Sequence, residues 1–260
     1  MKQVEKRKQA ILTRLQQHER IYVADLSREF DISEVTIRKD LKELEERGAL
    51  RRIHGGAARL TKAAIEMSLS EMQKINVAEK RLIAMEAYKH ISDNDALLLD
   101  ASTTNQELAY LLRDGDKKGL TVITTAIHTA YELAPCRHIE VVQIGGIIRR
   151  TLFTTMGPIA TTTIRGLHVD KAFIGVNGID IKTGYTTQNL FECELKRCII
   201  ESASQSYVLA DSSKMKVITL GVICPISGVD FLITDSGIDP LYRNELERTG
   251  VELIVAEATA

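Results

Sequence analysis

The sequence predicts an α/β chain in two parts: an N-terminal winged helix-turn-helix unit and a C-terminal domain built on a mainly parallel sheet. Three observations carry that reading. Residues 1–62 hold 15 Lys and Arg against 10 Asp and Glu, whereas the remaining residues hold 19 against 25, so a basic head precedes an acidic body. Three short amphipathic helices open the chain, with a tight turn before the third. From residue 76 onward, short apolar runs alternate with amphipathic helical stretches, the pattern of a parallel sheet covered by helices.

Residues 4–18 read as a helix with an apolar stripe of Val4, Ile11, Leu12 and Leu15, and with Lys6, Arg7, Lys8 and Arg14 off that stripe. Ile21-Tyr22-Val23 is a short extended piece, Asp25 to Phe30 a brief helix, and Asp31-Ile32 a turn. Ser33 suits the N-cap of a third helix and Glu34 its first turn, where the helix dipole favours negative charge. That helix runs to about Arg47 on a stripe of Ile37, Leu41 and Leu44, and Gly48 stops it. At about 100° per residue, Val35, Arg38, Lys39 and Lys42 point away from the stripe and Thr36 lies on its flank. Those side chains suit a major groove, where Lys and Arg take phosphates or guanine edges and the Val35 and Thr36 methyls reach thymine. Residues 49–57 form a wing of two extended pieces around Gly55-Gly56, glycines that permit a sharp bend or a close approach to DNA. Arg51 and Arg52 fit backbone phosphates. Ser33, at the start of the helix, and His54, in the wing, complete the candidate DNA-binding set, although a lone histidine is as readily a structural residue.

Residues 58–75 have no strand pattern and read as a linker, partly helical. In 76–260, helices are expected near 77–90, 105–113, 126–134, 157–166, 190–204 and 240–248. Strands are expected at 96–100, 121–125, 140–144, 171–175, 207–210, 219–223, 230–234 and 251–255. Ligands of such sheets bind beyond the carboxyl ends of the strands. Four ends carry suitable groups. Asp100, Ser102, Thr103 and Thr104 bring hydroxyls and free N–H groups to a helix N-terminus, an anion site. Gly145-Gly146 leaves room for a ligand, with Arg149 in reach. Asn177-Gly178, followed by Asp180, ends a third strand. Asp211 and Lys214 end a fourth and offer a cation for a phosphate. Glu192 and Lys196, four apart, share a helix face. Each feature has an ordinary reading as a cap, a turn or an ion pair; their concurrence at strand ends makes the candidate site.

The 260 residues are 44% apolar and 27% charged, an ordinary soluble balance. No stretch approaches the roughly 18 consecutive apolar residues of a membrane span, and the charged start MKQVEKRKQA lacks a signal-peptide core. Cytoplasmic residence is expected. Cys136, Cys193, Cys198 and Cys224 are too few and irregular for a disulfide framework, and Cys193-x4-Cys198 is not a zinc spacing. The chain has no tryptophan and 5% aromatics, which disfavours a protein built on aromatic stacking. No catalytic, metal or redox-cofactor set emerges.

Thr36-Ile-Arg-Lys-Asp-Leu41, Glu43-Leu44, Gly48 and Arg52-Ile-His-Gly-Gly-Ala57 resemble the N-terminal signature of the DeoR family of bacterial transcriptional regulators. Leu99-Asp-Ala-Ser-Thr-Thr104, Gly145-Gly146, Gly175-x-x-Gly178, Gly184 to Arg197 and Ala210-Asp-Ser-Ser-Lys214 are similar to its sensor domain. That domain in turn resembles ribose-5-phosphate isomerase, whose Ala-Asp-x-Ser-Lys segment is echoed by 210–214. The resemblance implies a winged helix-turn-helix that binds double-stranded operator DNA, as a homodimer or homotetramer, near sugar-metabolism genes. It implies a phosphorylated sugar or polyol effector, with Ser102, Thr103 and Thr104 around the phosphate and Glu192 and Lys214 on the rest of the ligand. Two positions depart from the family pattern. Ser102 stands where its first loop has glycine, which alters the loop if that glycine needs a positive φ, and Thr125-Ala126 replaces Asn-Ser after the second strand. Two other readings stay open. One is an isomerase-like enzyme with a DNA-binding head, using a carboxylate among Asp180, Glu192 and Asp211 for proton transfer. The other is a regulator answering to a protein partner.

Overall fold

In the computed structural model, which describes residues 2–18, 20–46, 49–53, 55–58 and 68–257, the chain divides into units of residues 1–66 and 67–260. In the first unit, helix α1 (Lys2–Gln17) is followed by strand β1 (Arg20–Tyr22), helices α2 (Val23–Phe30) and α3 (Glu34–Glu46), and strands β2 (Arg51–Ile53) and β3 (Gly56–Ala58). Asp31, at φ 50°, ends α2 in the left-handed region that Asp tolerates. Ser33 Oγ then accepts the Thr36 N–H at 3.3 Å and starts α3. The apolar stripes meet in one core of Ile11, Leu15, Ile21, Val23, Leu26, Ile37, Leu41, Leu44, Leu50 and Ala57. The strands form an antiparallel sheet in the order β1-β3-β2. Gly48 and His54 lie outside the described residues, as do 59–67 of the expected linker.

Two expectations about this unit change. Val4 is exposed, whereas Lys8 is only 3% exposed. Lys8 Nζ meets Glu43 Oε2 at 2.5 Å and Arg7 Nε meets Asp40 Oδ2 at 2.6 Å, so these cations clamp α1 to α3. Asp40 is itself 3% exposed, and its hydrogen bond holds the Arg7 pKa above the ordinary arginine value. Arg14 pairs with Glu29. Periodicity put these basic side chains off the core stripe, but a charge is buried where an opposite charge faces it. The wing glycines also divide their roles. Gly55, at φ 75°, makes the β2–β3 turn. A Cβ on Gly56 would overlap the Ile21 carbonyl oxygen, so its close approach is to strand β1. Gly56→Ala is therefore expected to cost the head about 1–3 kcal/mol by forcing β1 and β3 apart. Thermal unfolding followed by circular dichroism checks this, and an unchanged head transition would contradict it.

The second unit begins with a short helix, α4 (Leu69–Met72), then α5 (Val77–Lys89), β4 (Ala96–Leu99), α6 (Thr103–Asp114), β5 (Leu120–Thr124), α7 (Ile127–Leu133) and β6 (Ile139–Gln143). A hairpin, β7 (Ile147–Arg149) and β8 (Thr154–Met156), precedes α8 (Pro158–Arg165) and β9 (Val169–Gly175). Next come β10 (Gly178–Asp180), β11 (Gly184–Thr187), α9 (Leu190–Glu201), β12 (Ala203–Leu209), β13 (Gly221–Cys224), β14 (Phe231–Asp235), α10 (Pro240–Glu247) and β15 (Glu252–Ala256). Seven strands form one parallel sheet in the order β15-β14-β12-β9-β4-β5-β6.

The alternation of strand side chains separates two cores. Leu97, Leu99, Val122, Phe173, Tyr207 and Ile233 face Ile83, Ala87, Leu108 and Leu112 of α5 and α6. Leu98, Ala172, Ile174, Val208 and Leu232 face Ile164, Leu195, Ile199 and Leu246 of α8, α9 and α10. With both faces covered, the strands read as continuous apolar runs. Phe173, Tyr207 and Phe231 stack across neighbouring strands at 4.8 and 4.5 Å between centroids.

The expected strand 219–223 leaves the parallel sheet. It is β13, in a three-stranded sheet ordered β10-β11-β13 whose neighbours pair antiparallel. Arg197 Nε donates to the Ile223 carbonyl at 2.7 Å, and the Cys193 thiol donates to the Val222 carbonyl. The linker expectation narrows as well. Ala58 belongs to β3, and Ser68 precedes α4, where Glu71 accepts from the Ser68 N–H and hydroxyl at 2.9 and 2.7 Å.

Candidate functional site

Helix α3 separates its side chains by face. Ile37, Asp40, Leu41 and Leu44 are buried, while Val35, Arg38, Lys39 and Lys42 are exposed, Val35 by 73%. Thr36 is half-buried on the flank, and its hydroxyl lies 2.9 Å from that of Ser33. Arg38 pairs with Glu34 one turn back at 2.7 Å. Arg52 on β2 is exposed, and its backbone N–H donates to Glu45 Oε1 at 2.9 Å, tying the wing to α3. The exposed face carries three cations beside an apolar methyl surface, the chemistry that meets phosphates and base edges.

The position of the second site follows from topology. Strands β4, β5 and β6 step one way across the sheet, and the chain returns to β9 beside β4 before stepping the other way. The crevice between the carboxyl ends of β4 and β9 is thus the switch point, where open parallel sheets bind ligands. Asp100 sits there, 2% exposed. Its Oδ1 accepts from the Ser102 N–H at 2.9 Å and Asn105 Nδ2 at 2.7 Å, and its Oδ2 accepts from the Gly175 N–H at 3.0 Å. Lys196 of α9 completes the carboxylate's shell. Lys196 Nζ also meets Glu192 Oε1 at 3.2 Å, and Glu192 Oε2 meets Arg149 of β7 at 2.9 Å. Two carboxylates and two cations thus alternate in a chain of ion pairs from the sheet to the hairpin. Burial alone would lower the Lys196 pKa, but Asp100 and Glu192 overcome it and hold the ammonium above the ordinary lysine value.

Other predicted residues take different places. Ser102, at φ −77°, has extended backbone that any residue adopts, and its hydroxyl caps α6 by accepting the Asn105 N–H at 3.1 Å. The departure from glycine needs no positive φ here; a Cβ on Gly175 opposite would overlap the Ser102 side chain, so the missing side chain at 175 makes the room. Thr103 and Thr104 lie within the first turn of α6, both buried. Gly146 packs against the Met156 backbone, and Gly178 against the Val217 carbonyl. Asn177 Oδ1 accepts from the Thr187 hydroxyl at 2.9 Å. Asp211 and Lys214 form a further group with Asn76, whose Nδ2 donates to Asp211 Oδ1 at 2.8 Å; Lys214 Nζ lies 3.9 Å from Asp211.

Sequence reasoning missed Asn105, which is fully buried and also donates to the Phe173 carbonyl at 2.6 Å. It also missed that Asn105 Oδ1 and the Thr125 hydroxyl are buried without a partner. An amide inside an amphipathic helix gives no sign of its role until the strand it reaches is known. A groove of about 890 Å³ lined by Arg81, Tyr88, Tyr110 and Arg113 lies along α5 and α6, apart from this network. Among the described residues no helix is long and apolar enough to cross a membrane, and no group of three or more His, Cys, Asp or Glu is arranged to hold a metal ion.

Two family models match the chain: the DeoR-like helix-turn-helix domain over residues 7–63 and the DeoR C-terminal sensor domain over residues 75–236. The uncharacterized HTH-type transcriptional regulator YulB of Bacillus subtilis is 37% identical over 250 residues, 96% of each chain. The HTH-type transcriptional repressor GlcR of the same organism is 36% identical over 253 residues, 97% of this chain and 96% of its own. Ribose-5-phosphate isomerase A from Methanocaldococcus jannaschii aligns over 54% of this chain and 55% of its own, at 19% identity and a TM-score of 0.37. The chain therefore belongs to the DeoR family, as a DNA-binding transcriptional regulator with an N-terminal helix-turn-helix domain and a C-terminal sensor domain.

Proposed function

We propose that the chain is a repressor of a sugar or polyol catabolic operon and that a phosphorylated sugar or polyol, bound at the carboxyl ends of β4 and β9, controls its grip on operator DNA. The observation that carries this reading is the ion-pair chain Asp100–Lys196–Glu192–Arg149 at the switch point, buried at Asp100 and Lys196 and half-buried at Glu192 and Arg149. Its cations suit an anion, and its carboxylates suit sugar hydroxyls. The site set is Asp100, Ser102, Arg149, Glu192 and Lys196, with Asp211 and Lys214 at the neighbouring strand end. The head, residues 1–57, binds DNA in the cytoplasm as part of a homodimer or homotetramer, and residues 76–260 sense the effector.

Binding without turnover is favoured by the state of the carboxylates. Asp180 accepts the Lys182 and Thr183 N–H groups, Asp211 accepts from Asn76 and Ser213, and Glu192 faces two cations. Those donors occupy the oxygens that a proton-transferring carboxylate would turn to substrate, and at Asp180 the Thr183 N–H also holds the carboxyl below the ordinary aspartate value and weakens it as a base.

The test is thermal unfolding of the intact protein with ribose 5-phosphate, glucose 6-phosphate, fructose 1-phosphate and glycerol 3-phosphate, each against its unphosphorylated counterpart. At about 100 times its dissociation constant, a ligand of the native state adds roughly 2.7 kcal/mol. One phosphorylated compound is expected to raise the transition while its free counterpart does not. Equal stabilisation by a free sugar, or none by any compound, would overturn the phosphorylated-effector reading and turn attention to a protein partner.

A further inference from the structure

The segment Ser68–Asn76 directly follows the residues that lead out of the head, and its polar groups reach loops at the carboxyl ends of the sheet. The Leu69 N–H donates to the Thr151 carbonyl at 2.9 Å, in the turn of the β7–β8 hairpin that carries Arg149. Gln73 Nε2 donates to Gln106 Oε1 at 2.6 Å. Gln106 is buried in the opening turns of α6, four residues after Ser102, and its backbone N–H donates to the Ser102 carbonyl at 3.1 Å. Asn76 Nδ2 donates to Asp211 Oδ1 at 2.8 Å and to the Ser213 hydroxyl at 3.3 Å, after β12. Lys80 of α5 is buried and donates to the Met72 and Ile75 carbonyls at 2.6 and 2.7 Å, closing the segment on itself.

We propose that Gln73 and Asn76, with Lys80 holding the fold of the segment, are the positioning residues that couple effector occupancy to the DNA-binding head. The proposal rests on the effector site described above. The β7–β8 hairpin, the N-terminal end of α6 with its cap Ser102, and the β12 loop each carry residues of that site, and each also holds the segment by a hydrogen bond. A ligand that moves any of these loops changes the fit of the segment. The segment's helix, α4, spans four residues, far below the length at which an isolated helix persists in water. Its shape depends on these bonds, so it has two arrangements to choose between, held or released. A difference in effector affinity between those arrangements is what allostery requires.

The experiment compares the full-length wild type with Gln73→Ala/Asn76→Gly. Asn76 has φ 51°, so glycine keeps its backbone while removing the side chain. Operator affinity is measured by fluorescence anisotropy with and without each of the four sugar phosphates named above, and the affinity of the free protein for them by calorimetry. Typical coupling between sites is about 5- to 150-fold. In the variant, operator affinity without sugar phosphate and affinity for the sugar phosphate are both expected to stay within about threefold of wild type, while the effect of one on the other falls to within about twofold of none. Lys74→Ala, with an exposed side chain in the same segment, is the control expected to keep full coupling. If the double variant does not fold, Asn76→Asp sets a second carboxylate against Asp211 and is expected to reduce the coupling in the same direction. Full coupling in the variant that folds would overturn the proposal. A wild type that binds operator yet responds to none of the four compounds would overturn the effector reading instead, and the proposal with it.

Discussion

Lys196→Met is expected to destabilise the C-terminal unit by about 3–5 kcal/mol, because it strands the Asp100 carboxylate in the interior without a cation, whereas Glu192 keeps Arg149. Asp100 and Glu192 both face the Lys196 ammonium, and Lys196 and Asp100 are 3% and 2% exposed. The lysine's contribution comes from bringing compensating charge to a place the chain has already desolvated, so the loss exceeds anything seen at a surface pair. The sign with pH follows from its raised pKa. Stabilisation from a raised group is complete below the unfolded lysine value and is lost as pH rises through the still higher folded one. Wild type is therefore expected to keep this contribution at neutral pH and to lose it only in strong alkali. Urea unfolding followed by circular dichroism measures the cost. Asp100→Asn/Lys196→Met is the informative companion, since removing the stranded charge restores part of the loss and makes the pair strongly non-additive. Additive losses would show that the two groups do not share a site.

Arg38→Ala is expected to weaken operator binding by about 1–3 kcal/mol, or roughly 5- to 150-fold, with little change in melting temperature. The side chain is exposed on α3 and paired only across the surface with Glu34, a pair worth at most about 1 kcal/mol. Its loss leaves the core of the head intact. Lys39→Ala is expected to differ in kind, weakening operator and unrelated DNA alike and reducing the salt dependence by about one counterion. Anisotropy titrations at several salt concentrations distinguish the two. An Arg38→Ala protein that binds its operator as tightly as wild type would remove this helix face from the interface.

The elements of the second unit were readable along the chain wherever they were long enough to show a period. Strands β4, β5 and β14 are apolar runs of four or five residues between helical patterns, and they lie close to their expected places. Strands β7, β8 and β10 are three residues each, too short for alternation to register, and β11, Gly184-Tyr-Thr-Thr187, is not an apolar run; all four escaped notice. The exposed face of α3 was likewise legible, because its four outward side chains depend only on helical geometry and on which residues are apolar.

The buried charges were not legible in the same way. Lys8 looks like a solvated cation until Glu43, 35 residues on, is brought against it. Asp100 and Lys196 are 96 residues apart, and their pairing depends on β9 and α9 arriving beside β4. By itself the sequence determined the two-part α/β architecture, the family signature and the outward face of α3, because hydrophobic period, capping residues and motif spacing act over a few neighbours. Only the tertiary structure decided which charges are buried in pairs, which strand ends meet at the switch point, and that Gln73 and Asn76 hold the segment entering the sensor. Burial and ion pairing depend on what faces a residue in space, and that is set by the order of strands in the sheet.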